Sequence, residues 1–371
     1  MRTYLDHNAT SPLRPEARDA MIAALELGGN ASSVHGEGRK ARALIEQSRE
    51  TIARALGTIA PTMVFTSGGS ESCNMALRGV EVDRIIVSAI EHPSVLEAAK
   101  AAGKPVSVIP VNANGVIDLE ALDRLLAAGE GRALVSVMMA NNETGALQPV
   151  RDVVAIAGKY GALVHCDAVQ AFGKVPVNFG LLGVDMLSVS AHKLGGPQGV
   201  GALVIRDGLT VTPLIAGGGQ ELRRRAGTEN VAAIAGFAAA VVAATKNESD
   251  LKGLRTHLES SLEAGPGNVH VFAKSTDRLP NTVCFALPGL AADTALIAFD
   301  LDGVAVSSGS ACSSGKVAAS HVLEAMGASR DQVSSAIRVS LGWNSTAEDV
   351  NRFIESWQRI AARHLAADAA A

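Results

Sequence analysis

The chain has 371 residues, of which 47% are hydrophobic and 19% charged, and its formal net charge is −4. That balance excludes a disordered chain. With no basic block longer than Arg223-Arg224-Arg225, it also leaves no electrostatic footprint for nucleic acid. The longest uncharged runs, Ala55–Ser70 and Asn230–Thr245, hold 16 residues each. A membrane span needs roughly 20, and the N-terminus lacks an apolar signal core, so the sequence predicts a soluble, cytoplasmic protein with no membrane partner.

In chain order, Pro15–Leu27 and Gly38–Leu56 carry helical patterns, the second anchored by Ala43, Leu44, Ile45, Ala53 and Leu56. From Met63 onward, short apolar runs alternate with helices. The predicted strands are Met63–Thr66, Arg84–Ser88, Pro105–Ile109, Ala133–Met138, Leu163–Asp167, Met186–Ser190 and Val200–Ile205. The intervening helices are Glu71–Gly79, Pro93–Ala102, Asp118–Ala128 (Asp118 as N-cap) and Val150–Tyr160. This alternation predicts an α/β fold with a mostly parallel sheet, and ligands in such sheets bind outside the carboxyl ends of the strands. Beyond the Ala-rich Asn230–Thr245 and the polar connection Asn247–Gly253, the pattern changes. A helix, short strands at Val269–Phe272 and Thr282–Phe285, a helix at Ala291–Leu301, a strand at Ala336–Ser340 and a helix at Ala347–Ala366 predict a smaller α+β domain. The closing alanines are expected to fray.

Four segments carry residue types that suit chemistry. Thr66-Ser67-Gly68-Gly69-Ser70-Glu71 follows a strand and opens a helix, so it suits a phosphate cradle or a plain βα turn that needs positive φ. Asp167 ends an apolar strand. It fits either a carboxylate holding a protonated ring nitrogen or an N-cap, while its neighbour Cys166 faces the other way, into the core. In Ser190-Ala191-His192-Lys193-Leu194-Gly195-Gly196, Lys193 follows a buried strand directly, where burial turns an amine into a nucleophile; a surface lysine at a strand end is the plainer alternative. Ser307–Gly315 is a run of small residues that predicts an accessible loop around Cys312. Thiols are otherwise buried, as expected for Cys73, Cys166 and Cys284, and an accessible thiolate is a nucleophile. The four cysteines form no C-x-x-C pair. A Lys, a carboxylate 26 residues before it and an anion cradle are together what pyridoxal phosphate requires.

At this point the chain resembles the NifS/IscS-type cysteine desulfurases, a group of class V aminotransferase-like enzymes. The resemblance runs nearly end to end. It is carried by Tyr4–Thr10, Asn30–His35, Thr66–Asn74, Glu91-His92-Pro93, Asn141–Gly145, Asp167-Ala168-Val169-Gln170, Ser190–Lys193, Gly217–Glu221, Gly227-Thr228-Glu229-Asn230 and Ser308–Cys312. It implies a fold type I pyridoxal-phosphate enzyme with a large domain over 13–248 and a small one built from 1–12 and 249–371. Lys193 would be the Schiff-base lysine and the proton carrier at Cα, and Asp167 would keep the pyridinium nitrogen protonated. Gln170 would hydrogen-bond the phenolic oxygen, and His92 would stack on the ring and act as acid and base. Gly69, Ser70, Ser190 and His192 would bind the phosphate. Thr228 would reach the phosphate of a neighbouring subunit, which implies a homodimer. Asn142 and Arg338 would receive the carboxylate of L-cysteine, Arg338 through bidentate pairing. Cys312 would take the sulfur as a persulfide, releasing L-alanine, and pass it to an iron–sulfur scaffold or another acceptor. As a transient iron–sulfur ligand shared with that scaffold, it is also the one candidate metal contact. The departures are Ser70 in place of the usual Thr, and Cys73 in place of the usual Asp or Asn. The competing readings are a selenocysteine lyase or other pyridoxal-phosphate lyase, a sulfur donor for tRNA thiolation, and a sulfur carrier without turnover.

Overall fold

The computed structural model describes residues 2–246, 249–308 and 319–370. After a short strand β1 (Thr3–Tyr4) come the helices α1 (Pro15–Leu27) and α2 (Gly36–Ala55). A seven-stranded sheet follows, made of β2 (Met63–Thr66), β3 (Arg84–Ser88), β4 (Val106–Ile109), β5 (Ala133–Ser136), β6 (Leu163–Asp167), β7 (Met186–Ser190) and β8 (Gly201–Ile205). Their spatial order is β2-β8-β7-β6-β5-β3-β4. The run from β7 to β4 is parallel, and β8 is antiparallel to both β7 and β2.

The helices between the strands are α3 (Gly69–Gly79), α4 (Pro93–Ala101), α5 (Leu119–Ala128), α6 (Val150–Lys159), α7 (Phe179–Leu182) and, after the sheet, α8 (Val231–Thr245). They cover both faces, as a parallel sheet requires. Strand alternation divides the core accordingly. Val64, Ile85, Val87, Leu134 and Leu203 pack with Met75, Leu77 and Val95 of α3 and α4. Phe65, Ile86, Val135, Val164, Cys166 and Val204 pack on the opposite face with Ile45, Leu122, Val153 and Phe237. Asp118 caps α5 by accepting from the Ala121 N–H at 2.9 Å, and Asn230 caps α8 by accepting from Ala233 at 3.0 Å.

The C-terminal part contains α9 (Leu251–Ala264), β9 (His270–Val271), β10 (Thr282–Ala286), α10 (Ala292–Leu301), β11 (Val304–Ala305), β12 (Ser307–Ser308), α11 (His321–Ala325), α12 (Arg330–Ser334), β13 (Ala336–Ser340) and α13 (Ala347–Ala370). Its antiparallel sheet has the order β12-β13-β10-β9. An aromatic group fixes α13 on it: Phe285 meets Trp357 edge-on at 4.9 Å, and Phe299 stacks on Phe353 at 5.1 Å. The N-terminal segment joins this unit, because β1 pairs with β11 and Asp6 bridges to Ser340. The chain then crosses to the large sheet, where the Ser11 N–H donates to the His192 carbonyl at 2.9 Å and the Arg14 N–H to Gly195 at 2.8 Å.

Most sequence boundaries agree within two residues, with three corrections. The strand expected over Ala133–Met138 ends at Ser136, although the Val137 and Met139 N–H groups still donate to the His165 and Asp167 carbonyls of β6. The alanines expected to fray continue α13 to Ala370, as suits the best helix former. Ser307 and Ser308, expected to begin a loop, are the buried strand β12 paired with Arg338 and Ile337. No helix among the described residues is long and apolar enough to cross a membrane.

Candidate active site

A cavity of about 240 Å³ opens at the carboxyl ends of β6 and β7, beside the N-terminus of α3. Gly69, Ser70, His92, Asn142, Asp167, Gln170, Ser190, His192 and Lys193 all line it. These residues lie far apart in sequence and meet because most sit where a strand ends or a helix starts, with Asn142 and Gln170 in the turns beyond β5 and β6.

Asp167 closes β6. Its Oδ1 accepts from the Val169 N–H at 2.9 Å, and the Cys73 thiol donates to Oδ2 at 3.7 Å. Burial raises its pKa, opposed by the Val169 and Cys73 hydrogen bonds and by the Lys193 charge. A carboxylate desolvated in this way favours a protonated partner. The N-cap reading survives in the same residue, because Oδ1 also closes the turn that follows.

Opposite it, α3 begins at Gly69 behind Gly68, whose φ of 149° and missing side chain leave the first N–H groups without a side-chain cap. A Cβ on Gly69 would lie 2.8 Å from Val169 Cγ2, so glycine is what lets the helix start against the Asp167 turn. An uncapped helix N-terminus beside Ser70, Ser190 and His192 suits a phosphate. The three requirements of pyridoxal phosphate thus share one cavity, and the residues present fit that group.

Lys193 lies in the helical turn Ala191–Lys193 that follows β7. Its Nζ donates to the carbonyls of Asn8 at 2.7 Å and Ala9 at 2.9 Å, so it is a half-buried residue rather than a solvated one. His92 caps α4, with Nδ1 accepting from the Ser94 N–H at 3.1 Å, which leaves Nε2 to carry the proton of the neutral ring. Burial and the charges of Lys193 and His321 push its pKa to about 4, below the ordinary imidazole range that its acid–base role suggested. His192 is also pushed to about 4, by burial and by Lys193 and Lys174.

Gln170 Nε2 donates to the Asn8 carbonyl at 2.9 Å, and its Oε1 accepts from Lys174 at 2.6 Å. Arg338 is buried on β13. Its Nη2 donates to Asp6 Oδ1 at 2.7 Å and its Nη1 to the Asn142 carbonyl at 3.2 Å. It stands behind Asn142 rather than in the cavity wall. Thr228 is exposed and lies outside the cavity of its own chain, although Arg225 nearby pairs with Glu71 of α3 at 2.9 Å. Cys312 lies outside the described residues.

Sequence reasoning gave no role to Asn8, Asp6 or Lys174, three polar residues that hold this cavity together. Asn8 Nδ2 donates to the Asn142 carbonyl at 3.0 Å and to Thr282 Oγ1 at 2.9 Å, while its Oδ1 accepts from Lys174 at 2.8 Å. The available signal was Asp6-His7-Asn8, a polar triplet after the apolar Leu5.

Comparison with known proteins agrees with this geometry. The model of the aminotransferase class-V family matches residues 3–353. The chain is 42% identical to the cysteine desulfurase IscS of Dictyoglomus turgidum, with 96% of this chain and 94% of the relative covered. It is 39% identical to an IscS-like cysteine desulfurase of Mycobacterium tuberculosis, with 95% and 94% covered. A NifS-like protein from Rickettsia africae superposes with a TM-score of 0.89 at 40% identity, covering 97% of this chain and 99% of that one. With its family model, its relatives and its fold in agreement, the chain belongs to the class-V aminotransferases and, within them, to the NifS/IscS-type cysteine desulfurases.

Proposed function

We propose that this chain is a pyridoxal-phosphate-dependent cysteine desulfurase that converts L-cysteine to L-alanine and donates the sulfur for iron–sulfur cluster assembly. The observation that carries this reading is the single cavity shared by Lys193, Asp167, His92 and the open N-terminus of α3. When bound, pyridoxal phosphate supplies an electron sink that makes the Cα–H of an amino acid acidic. Asp167 holds the proton on the ring nitrogen, and Gln170 donates to the phenolic oxygen. Gly69, Ser70, Ser190 and His192 hold the phosphate. Lys193 would hold the cofactor and would move the proton at Cα, and its Nζ stands on the carbonyls of Asn8 and Ala9. His92 would pack against the ring, and with its pKa near 4 it is neutral at pH 7, so its acid–base part would begin with the proton on Nε2. Asn142 and Arg338 receive the substrate carboxylate, Arg338 by exchanging part of its pairing with Asp6. The Cys312 thiolate attacks the substrate sulfur; the new S–S bond forms as the C–S bond breaks, and the released carbon is protonated to alanine.

The same reading divides the chain into a large domain over 13–248 and a small one made of 1–12 and 249–371. The pairing of β1 with β11 supports this division. It also makes the protein a cytoplasmic homodimer in which Thr228 reaches the partner's phosphate site. Protein supplied with pyridoxal phosphate should be yellow and form alanine from cysteine. Cys312→Ala should abolish alanine formation from cysteine and spare selenocysteine; unchanged cysteine turnover would defeat the desulfurase reading. A monomer in sedimentation, together with unaltered cofactor affinity in Thr228→Ala, would defeat the shared site. Trapping the Cys312 persulfide and identifying the protein that removes it tests the iron–sulfur scaffold against a tRNA-thiolation acceptor.

A further inference from the structure

Lys174 has no part in the chemistry described so far, yet its ammonium is enclosed within hydrogen-bond reach of two residues of the cavity. It comes four residues after Gln170, in a tight turn where Phe172 N–H bonds to Ala168 and Lys174 N–H to Ala171 at 3.0 Å. Gly173 makes that turn possible: its φ is +82°, and a Cβ there would lie 2.8 Å from Leu194 Cβ. The Lys174 Nζ donates to Gln170 Oε1 at 2.6 Å and to Asn8 Oδ1 at 2.8 Å. Asn281 Nδ2 donates to the same Asn8 oxygen at 3.1 Å.

An ammonium is a donor only, so it fixes which end of a neighbouring amide carries the oxygen. With Oε1 turned to Lys174 and one N–H of Nε2 on the Asn8 carbonyl, Gln170 has its second N–H to offer to the cavity. We propose that Lys174 is a positioning residue that locks the Gln170 amide so that a donor, never an acceptor, faces the phenolic oxygen of the cofactor. This rests on the proposed pyridoxal-phosphate reading. Its charge also reaches the site, for Lys174 is among the causes that pull His7 and His192 down to about 4. The charged groups around it are Lys193 and Arg338, which together with burial lower its own pKa. Asp6 balances Arg338 at 2.7 Å.

The test is the long-wavelength absorption of the holoenzyme, titrated with pH. That absorption tracks a proton which a nearby cation and a donor on the phenolic oxygen both disfavour, so losing either favours the protonated form. In Lys174→Met its pH midpoint should rise by about one pH unit, and Lys174→Arg should bring it back toward wild type. In a Gln170→Leu background, Lys174→Met should move the midpoint much less, because the partner through which it acts is gone. If Lys174→Met does not fold, Lys174→Leu takes its place, which likewise removes both the donor and the charge. A wild-type midpoint in Lys174→Met overturns the proposal, and so does a shift of full size in the Gln170→Leu background. A wild-type protein that acquires no such absorption with added pyridoxal phosphate overturns the underlying cofactor reading instead.

Discussion

The cavity has two walls of different construction. The wall at the ends of β6 and β7 carries the groups with chemistry, Asp167 as the last residue of β6 and Lys193 in the turn that follows β7, on adjacent strands of a sheet buried on both faces. The second wall stands behind the lining: it is the crossing segment with Asp6 and Asn8, backed by Thr282 and Arg338 of the small sheet, and it carries groups that hold Asn142, Gln170 and Lys193 in place. The difference teaches that reactive groups sit on the stiffer support, while their orientation is set by hydrogen bonds from residues remote in sequence. That matches the general need for a preorganised site backed by supporting contacts.

If this division is right, substitutions on the first wall abolish chemistry and spare the fold, and those on the second do the reverse. Lys193→Ala should lower cysteine turnover by at least about 10³-fold and remove the long-wavelength absorption, with the urea midpoint nearly unchanged. A large drop in stability alongside would blur the two walls into one. Asn8→Ala should act on stability first. It deletes both Nδ2 hydrogen bonds and takes the Oδ1 acceptor away from Lys174 and Asn281, leaving Lys174 its hydrogen bond to Gln170. The expected loss is about 3 kcal/mol, the range for stranding buried polar and charged groups, read from urea unfolding of the holoenzyme.

The first wall was legible in sequence because its residues occupy strand ends and helix starts, positions that local pattern reveals. Asp167 ends an apolar run, Gly68-Gly69 precede a helix, and Lys193 follows a strand. The second wall was not, because its contacts span the chain: Asn8 meets Thr282 and Ser340, and Asp6 meets Arg338, across hundreds of residues. The same reason hid β1 and β11, two-residue strands that exist because they pair with each other. Lys174 was hidden differently. A lysine at the end of a turn reads as solvated until the fold shows which oxygens enclose it.

Protonation offers a milder way to stress the site. His7, His92 and His192 are held to about 4 and His165 to about 3, each first by burial. An unfolded imidazole near 6.5 binds a proton before the folded one does, so stability is intact above pH 6.5 and is lost as pH falls toward 4. Glu143 runs the other way. Burial raises it to about 7, against a Ser320 hydrogen bond of 2.5 Å, so its contribution is present below 4.5 and lost as pH rises through 7. Thermal unfolding followed from pH 7 to 4 should therefore fall on the acid side by about 1.4 kcal/mol per pH unit for each proton taken up, partly offset by Glu143. Glu143→Gln should steepen that fall. A flat profile from pH 6.5 to 4 would mean that these rings are not buried as neutral groups.

The smallest expected effect bears most directly on how the walls cooperate. Arg338 is buried and its Nη2 is taken by Asp6, so an incoming carboxylate competes with a carboxylate already present. Asp6→Asn keeps an oxygen to orient the guanidinium and removes the competing charge, so the substrate carboxylate should meet a less neutralised Arg338. The KM for cysteine should fall about threefold, which is under ~1 kcal/mol, with kcat little changed, because the interaction is equal in ground and transition states. A rise in KM instead would assign Asp6 to aiming Arg338 rather than holding it in reserve. Asp6 would then belong with Asn8 among the groups whose whole value is orientation.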